Sequence, residues 1–271
     1  ACADSSCEFS GSAGDAVTYS ENDMLAAFRR QMSMTDPLYI IYTSGSTGNP
    51  KGVMTSHLSL MTYINAYCDV MHIEESDVLG NQSPLDYIAA IRDIYLPLKT
   101  GCSTAIIPKE YFMEPNALFD YMNDKKVSSV GWSVSAFTIL TSLGAFEEVG
   151  LKSLRKICFS GSVMPCRVLR KWQENLPEAH FVNQYGPTEA TASCTYYSVD
   201  HTVEEDEVLP IGKAYDNYRV FLIDEHGNEP AVGEQGEICV CGPIQALGYY
   251  NDPERTAAAF TLNPLNKTYP E

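Results

Sequence analysis

Thr43 and Ser44 before Gly45, and Ser46 and Thr47 between Gly45 and Gly48, set a cluster of hydroxyls, and Lys51 and Gly52 follow behind Pro50. Glycine adopts backbone conformations that cost other residues, so successive N–H groups of such a loop can converge on one point. The hydroxyls add donors and the lysine adds positive charge, a combination suited to a polyphosphate. The spacing is not the GxxxxGK[ST] pattern, because Pro50 stands five residues after Gly45 and Gly52 follows Lys51. A flexible Gly/Ser connector is the plain alternative. The fixed Pro50 and Lys51, behind the apolar run at residues 37–41, favour the anion-holding reading. Far downstream, NQYGPTEAT at residues 183–191 places Tyr185 and Glu189 on either side of a turn. Taken alone, Tyr185 reads as a core aromatic and Glu189 as a solvated or helix-capping acid. His57 reads as structural, and His72, His180, His201 and His226 lack metal-ligand spacing, so no zinc site is expected.

The elements that must position these residues alternate along the chain. DPLYIIY reads as a short strand and SHLSLMTYINAYCDVM as a helix capped by Ser56. NQSPLDYIAAIRDIYLPLKTG reads as a turn and a helix, and CSTAIIP as a strand. Three strand and helix alternations follow: PNALFDYMNDKK and VSSVGWSV, AFTILTSLGAF and LRKICFSGS, PCRVLRKWQENLP and AHFVNQYGPTEA. This pattern predicts an α/β domain over residues 36–209, with a mainly parallel sheet flanked by helices. From Pro210 onward, alternating strands and turn signals replace helical periodicity, which predicts a smaller β-rich lobe over residues 210–271. Residues 1–35 begin ACADSSCEFSGSAGD and read as a polar lead-in, partly disordered, with Cys2 and Cys7 incidental.

Composition limits the partners. The 271 residues carry a formal charge of −17, which argues against general affinity for nucleic acid or anionic membrane. Nine cysteines are too sparse for a disulfide scaffold and none has CxxC spacing; Cys239 and Cys241 share one strand face and read as apolar residues. With no membrane-length apolar run and no signal-peptide core, a cytoplasmic location is the expectation.

YTSGSTGNPKGVMTSH closely resembles the signature of the adenylate-forming ligases, which include acyl-CoA synthetases, luciferases and the adenylation domains of nonribosomal peptide synthesis. NQYGPTEAT resembles that family's YGxTE element, and GEICVCGPIQALGYYNDPERTAAAF its GEIxxxGxxxxxGYxxxPExTxxxF stretch. The order and rough spacing also agree, and the resemblance runs from about Asp36 onward. NQ-SP near residue 81, the ending LKTG and YGPTEAT are most similar to D-alanine carrier-protein ligases and related amino-acid adenylation domains.

The resemblance implies a two-step reaction with ATP and Mg2+. A carboxylate attacks the α-phosphate to give an acyl-adenylate and pyrophosphate, and a thiol, on a carrier-protein phosphopantetheine or on CoA, then takes the acyl group. It implies that Thr43, Ser44, Gly45, Ser46, Thr47, Gly48 and Lys51 hold the β- and γ-phosphates. Tyr185 and Gly186 would lie against the adenine, bordered by Asn183 and Gly161. Thr188 would contact the α-phosphate region and Glu189 would bind Mg2+.

Lining up the segment before LKTG with the family puts Ile88 where amino-acid adenylation domains usually place an Asp for the substrate ammonium, with Asp86 two residues earlier. Ile88 cannot neutralise an ammonium, and a buried unpaired charge is costly. Other wall residues implied by the comparison are Ala89, Arg92, Gly131, Cys158, Ser160, Gln184 and Ala192; Arg92 could pair with a substrate anion, pair with Asp93 or reach solvent. This departure puts α-amino-acid activation in question: an amino acid is the expected substrate with Asp86 taking the ammonium-binding role through a local shift, and an aryl, keto or fatty acid is the alternative. A further alternative is a catalytically incomplete nucleotide-binding fragment, since the family's N-terminal segment and C-terminal domain are expected to be absent. Apolar surface left uncovered in such a fragment would permit self-association.

Overall fold

The computed structural model describes residues 21–44, 49–85, 87–266 and 268. Two compact units divide the chain at residue 36. In the first, residues 21–31 form helix α1 (Glu21–Gln31), and Asp36 Oδ2 accepts a hydrogen bond from the Ser33 N–H at 2.7 Å. This helix falls inside the stretch read as a polar lead-in; Met, Leu, Ala and Arg in its sequence are all good helix formers.

The second unit begins with strands β1 (Pro37–Thr43) and β2 (Lys51–Ser56), followed by α2 (His57–Met71) and β3 (Val78–Asn81). Helix α3 (Ala90–Thr100) leads to β4 (Ser103–Ile106), and α4 (Pro115–Asp124) to β5 (Ser129–Ser133). Helix α5 (Val134–Ser142), β6 (Lys156–Ser160), α6 (Cys166–Asn175) and β7 (His180–Tyr185) continue the alternation. Strands β8 (Thr195–Val199), β9 (Lys213–Ala214), β10 (Arg219–Ile223), β11 (Glu237–Cys241) and β12 (Gly248–Tyr249) precede α7 (Pro253–Ala259).

A seven-stranded sheet has the order β4-β3-β5-β6-β7-β8-β9. Its first five strands are parallel, β8 is antiparallel to β7, and β9 is antiparallel to β8. The expected mainly parallel sheet flanked by helices is present. DPLYIIY is a strand as expected, yet it pairs antiparallel with β2 and not with the large sheet. Lys51 therefore opens a strand that the loop-like sequence before it concealed. The strands after Pro210 are shared out: β9 extends the large sheet, β12 pairs with β2, and β10 and β11 form a two-stranded ribbon.

Period-two alternation sorts the sheet's side chains onto two faces. Val130, Trp132, Ile157, Phe159 and Phe181 pack into one cluster with Phe119 of α4, Phe137 of α5 and Trp172 of α6. Cys158 and Val182 point the other way, into a cluster with Tyr63 and Tyr67 of α2 and Ile91 and Leu96 of α3. Ser56 caps α2 as expected, its hydroxyl accepting from the Ser59 N–H at 3.1 Å. Gly101 closes α3 in the left-handed conformation at φ 80°, where a glycine avoids the Cβ penalty. The described cysteines carry free thiols. No helix among the described residues is long and apolar enough to cross a membrane.

At the N-terminal ends of the parallel strands, Asp77 ties three of them together. It accepts from Lys156 Nζ at 2.6 Å, Ser128 Oγ at 2.7 Å and the Glu74 N–H at 2.9 Å. Burial alone would raise this carboxyl, but Lys156, Ser128 and the backbone N–H hold it below the ordinary value. A carboxyl lowered in the folded state leaves the unfolded chain binding more protons near pH 4, so its contribution is present above that pH and lost below it. Asp77→Asn is expected to cost about 1–3 kcal/mol at pH 7 in urea unfolding. Its stability should also decline less than that of the parent as the pH falls from about 6 to about 3.

Candidate active site

The β1–β2 hairpin sets Thr43 opposite Lys51 and Tyr42 opposite Gly52. Thr43 is half-buried at the end of β1 and Ser44 is exposed; Gly45, Ser46, Thr47 and Gly48 lie outside the described residues. Lys51 extends from the start of β2 and forms an ion pair with the Glu189 carboxylate. The same Nζ donates to the Tyr249 hydroxyl at 3.1 Å, which donates to Glu189 Oε1 at 2.7 Å. The ammonium also lies 4.9 Å from the centre of the Tyr249 ring, within cation–π range.

Backbone bonds hold the three segments in this arrangement. The Leu247 N–H donates to Met54 O and the Tyr250 N–H to Gly52 O, each at 2.8 Å, locking the GYY stretch onto β2. The Ala246 N–H donates to Glu189 O at 2.8 Å, and Thr191 Oγ1 to Ile244 O at 2.7 Å. Burial would raise the Glu189 carboxyl, but the bonds from Lys51 and Tyr249 hold it below its ordinary value. Burial would likewise lower Lys51, and Glu189 and Tyr249 instead raise it. Both groups stay charged across the physiological range. Tyr249 is a member of this site that the sequence reading did not name, although it stands in the third matched stretch.

Thr188 and Glu189 sit in a single 3-10 turn after β7. Gly186 is required at the neck of that loop, because a Cβ there would run into the Ser193 backbone. Beyond the turn, Thr191 and Ala192 both adopt left-handed conformations, at φ 45° and 74°. Such strain on non-glycine residues persists only where surrounding structure enforces it, and clusters at functional sites. Tyr185 ends β7 with 38% of its surface exposed, a poor fit to a core aromatic. Asn183, two residues earlier on the same strand face, donates to Pro210 O at 2.9 Å. Gly161 follows β6 at φ 95°, with open space where a Cβ would be.

The implied acid-wall residues gather on the α2/α3 side of the sheet. Gly131 and Cys158 are register partners on β5 and β6, Cys158 pairs with Val182 on β7, and Ser160 and Gln184 follow two residues later on the same faces. Ile88 is buried in the apolar cluster with Cys158 and Val182, and Ala192 packs against it. Asp86 lies outside the described residues. Arg92 is buried, donating Nε to Asp93 Oδ1 at 2.9 Å and a terminal nitrogen to Gly131 O, with its Cζ 5.2 Å from the Tyr67 ring centre. Of the three fates open to Arg92, pairing with Asp93 is the one realised. Burial pushes the Cys158 thiol up to about 12, so it is a neutral wall group and no nucleophile. A separate cleft of about 570 Å³ reaches Glu189 from the β10–β11 ribbon and residues 258–264, with Phe221, Cys239 and Phe260 in its walls.

A protein-family model described as AMP-binding enzyme matches residues 5–250. The chain is 34% identical over 233 residues to the D-alanine--D-alanyl carrier protein ligase of Bacillus anthracis, covering 85% of this chain and 46% of that protein. It thus spans about half the length of the curated relatives it matches. Among solved structures, the nonribosomal peptide synthetase FmoA3 (S1046A) is similar with a TM-score of 0.79 at 27% identity, over 88% of this chain and 25% of the other. The AMPPNP-bound form of the same protein gives 0.78 at 27% identity, over 86% and 25%.

Tyr249→Phe removes the hydroxyl that bridges Lys51 and Glu189 while keeping the ring. It is expected to lower stability by about 1.5 kcal/mol in urea unfolding, the loss of a hydrogen bond to a charged group.

Proposed function

Since the chain belongs to the AMP-binding enzyme family, we propose that this site activates a carboxylic acid with ATP. A carboxylate oxygen bonds to the α-phosphorus, the bond from that phosphorus to the bridging oxygen breaks, and pyrophosphate leaves. An acyl-adenylate remains, and a thiol sulfur then attacks its carbonyl carbon and displaces AMP. The relatives named as D-alanyl carrier protein ligases support a carrier-protein thiol as acceptor.

The observation that carries this reading is the convergence of Lys51, Glu189 and Tyr249 from three separate segments onto one point. Lys51 supplies the cation for the pyrophosphate side, together with the loop from Thr43 to Gly48. Tyr185, exposed at the end of β7, offers a ring face for the adenine above Gly186, with Gly161 and Asn183 at its border. Thr188 orients the α-phosphate. Among the described residues no group of three or more His, Cys, Asp or Glu could hold a metal by itself, so the residue that would hold Mg2+ is Glu189. A single carboxylate, Glu189, completed by phosphate oxygens and water, is the way this ion is commonly held. Bound there, Mg2+ neutralises phosphate charge as it develops. Lys51 and Glu189 neutralise each other; on nucleotide binding Lys51 would exchange the carboxylate for phosphate oxygens and Glu189 would exchange the ammonium for Mg2+.

Calorimetric titration of ATP, with and without Mg2+, tests these roles. Lys51→Met is expected to weaken binding at least tenfold in both conditions. Glu189→Gln should weaken it only with Mg2+ present and leave binding without Mg2+ equal or tighter, because Lys51 is then unpaired. Equal losses for both variants in both conditions would refute the assignment.

A further inference from the structure

Tyr249 is held from more sides than its pairing with Lys51 and Glu189 requires. Its ring lies in a buried cluster with Val53 and Ala246, and the Phe260 ring meets it edge-on at 5.6 Å. Its N–H donates to Thr256 Oγ1 at 2.9 Å, and that hydroxyl donates to Asp252 O at 2.8 Å. Gly248 permits this approach: at φ 125° it adopts a conformation that favours glycine, and a Cβ there would lie 2.5 Å from Thr256 Cγ2. Asp252 caps α7, accepting from the Arg255 N–H at 3.0 Å, with Pro253 in the first turn. Gly248, Pro253, Thr256 and Phe260, four fixed positions of the third matched stretch, thus all serve to place one phenol oxygen.

A phenol hydroxyl has one proton to donate and can also accept. Here the proton goes to Glu189 Oε1 at 2.7 Å, and the oxygen accepts from Lys51 Nζ at 3.1 Å. The two partners of the carboxylate differ in freedom. Lys51 sits on a flexible stem and, in the activation reading, moves to phosphate oxygens. Tyr249 is fixed by β12 and α7 and stays. Both side-chain bonds fall on Oε1, so Oε2 is the oxygen that can face a cation while the phenol keeps its hold. A glutamate with no such hold must give up rotamer freedom at the moment it meets a metal ion. Removing a partner that orients a metal-binding group typically costs about ten- to hundredfold in metal affinity.

Resting on the activation reading above, we infer that Tyr249 is a positioning residue for Glu189. Its hydroxyl keeps the carboxylate in place for Mg2+ after Lys51 has moved to the phosphates, and Thr256 acts on the same carboxylate through Tyr249.

Calorimetric titration of ATP with and without Mg2+ gives, for each variant, the factor by which Mg2+ tightens binding. Tyr249→Phe is expected to cut that factor at least fivefold, with the loss confined to the Mg2+ condition. Thr256→Val keeps the shape but removes the acceptor for the Tyr249 N–H, and should cut the factor at least twofold. Thr256→Ser keeps the hydroxyl and should fall between Thr256→Val and the parent. Tyr249→Phe combined with Thr256→Val should lose no more than Tyr249→Phe alone, because both act on one carboxylate. A merely packing role would weaken binding equally in both conditions, and that result overturns the inference. So does a factor unmoved in Tyr249→Phe while Glu189→Gln abolishes it; in either case the activation reading stands. Should Tyr249→Phe fail to fold, the Thr256 variants decide, and equal factors in Thr256→Val and the parent overturn the inference. A parent chain whose ATP binding Mg2+ does not tighten, or a Glu189→Gln variant that keeps the parent's factor, overturns the activation reading, and this inference falls with it.

Discussion

One charged contact organises the site: Lys51, Glu189 and Tyr249 meet although 138 residues separate the first two and 60 the second two. A flexible lysine and a surface acid gain little from pairing in water. Here the pair is partly buried, shares a tyrosine hydroxyl and is framed by backbone bonds from Leu247, Tyr250 and Ala246, so its geometry is fixed by strands. The hairpin that presents Lys51 would be an isolated two-stranded ribbon without β12, and such ribbons are marginal in water. The third matched segment is therefore structural support for the first and electrostatic partner to the second.

The large sheet provides the other constraint. Because its central strands are buried on both faces, each alternate residue is committed either to the tryptophan-rich cluster or to the tyrosine-rich one. Gly131, Cys158, Ser160 and Gln184 are a row across three adjacent strands on the second face. Where Arg92 crosses that row, the sheet must carry a glycine. Volume, charge and register thus meet at one point, and the buried pair with Asp93 leaves the cluster electrically balanced.

Much of this was legible in the sequence. Strands β4 to β7 stand out because each is bounded by turn residues and separated from the next by helical periodicity. Strand β3, VLGN, did not: it is four residues long, contains glycine and has no alternation to read. Strand β2 was hidden because KGVMTS begins with the residues that make the preceding loop look like a loop. The partner of DPLYIIY could not be read at all, since an apolar strand looks the same whichever neighbour bonds to it. In the site, motif resemblance pointed to Lys51 and Glu189 but not to their direct pairing, and Tyr249 escaped notice because a tyrosine beside a glycine is an unremarkable pair in isolation. The pairing of Arg92 with Asp93 was one of several outcomes that adjacent residues permit, and only packing against Gly131 and Tyr67 decides among them.

The close approach of Gly186 to Ser193 gives the loop between them a narrow neck. Thr188 and Glu189 lie at its head, while Gln184 and Ser193, joined to each other by a hydrogen bond, stand at its foot. Head and foot are thereby parts of one closed piece of chain. A change of side chain at the foot leaves the head in place so long as the neck keeps its glycine. The side chains at the foot and those at the head can therefore change independently, and the neck is what makes the two separable.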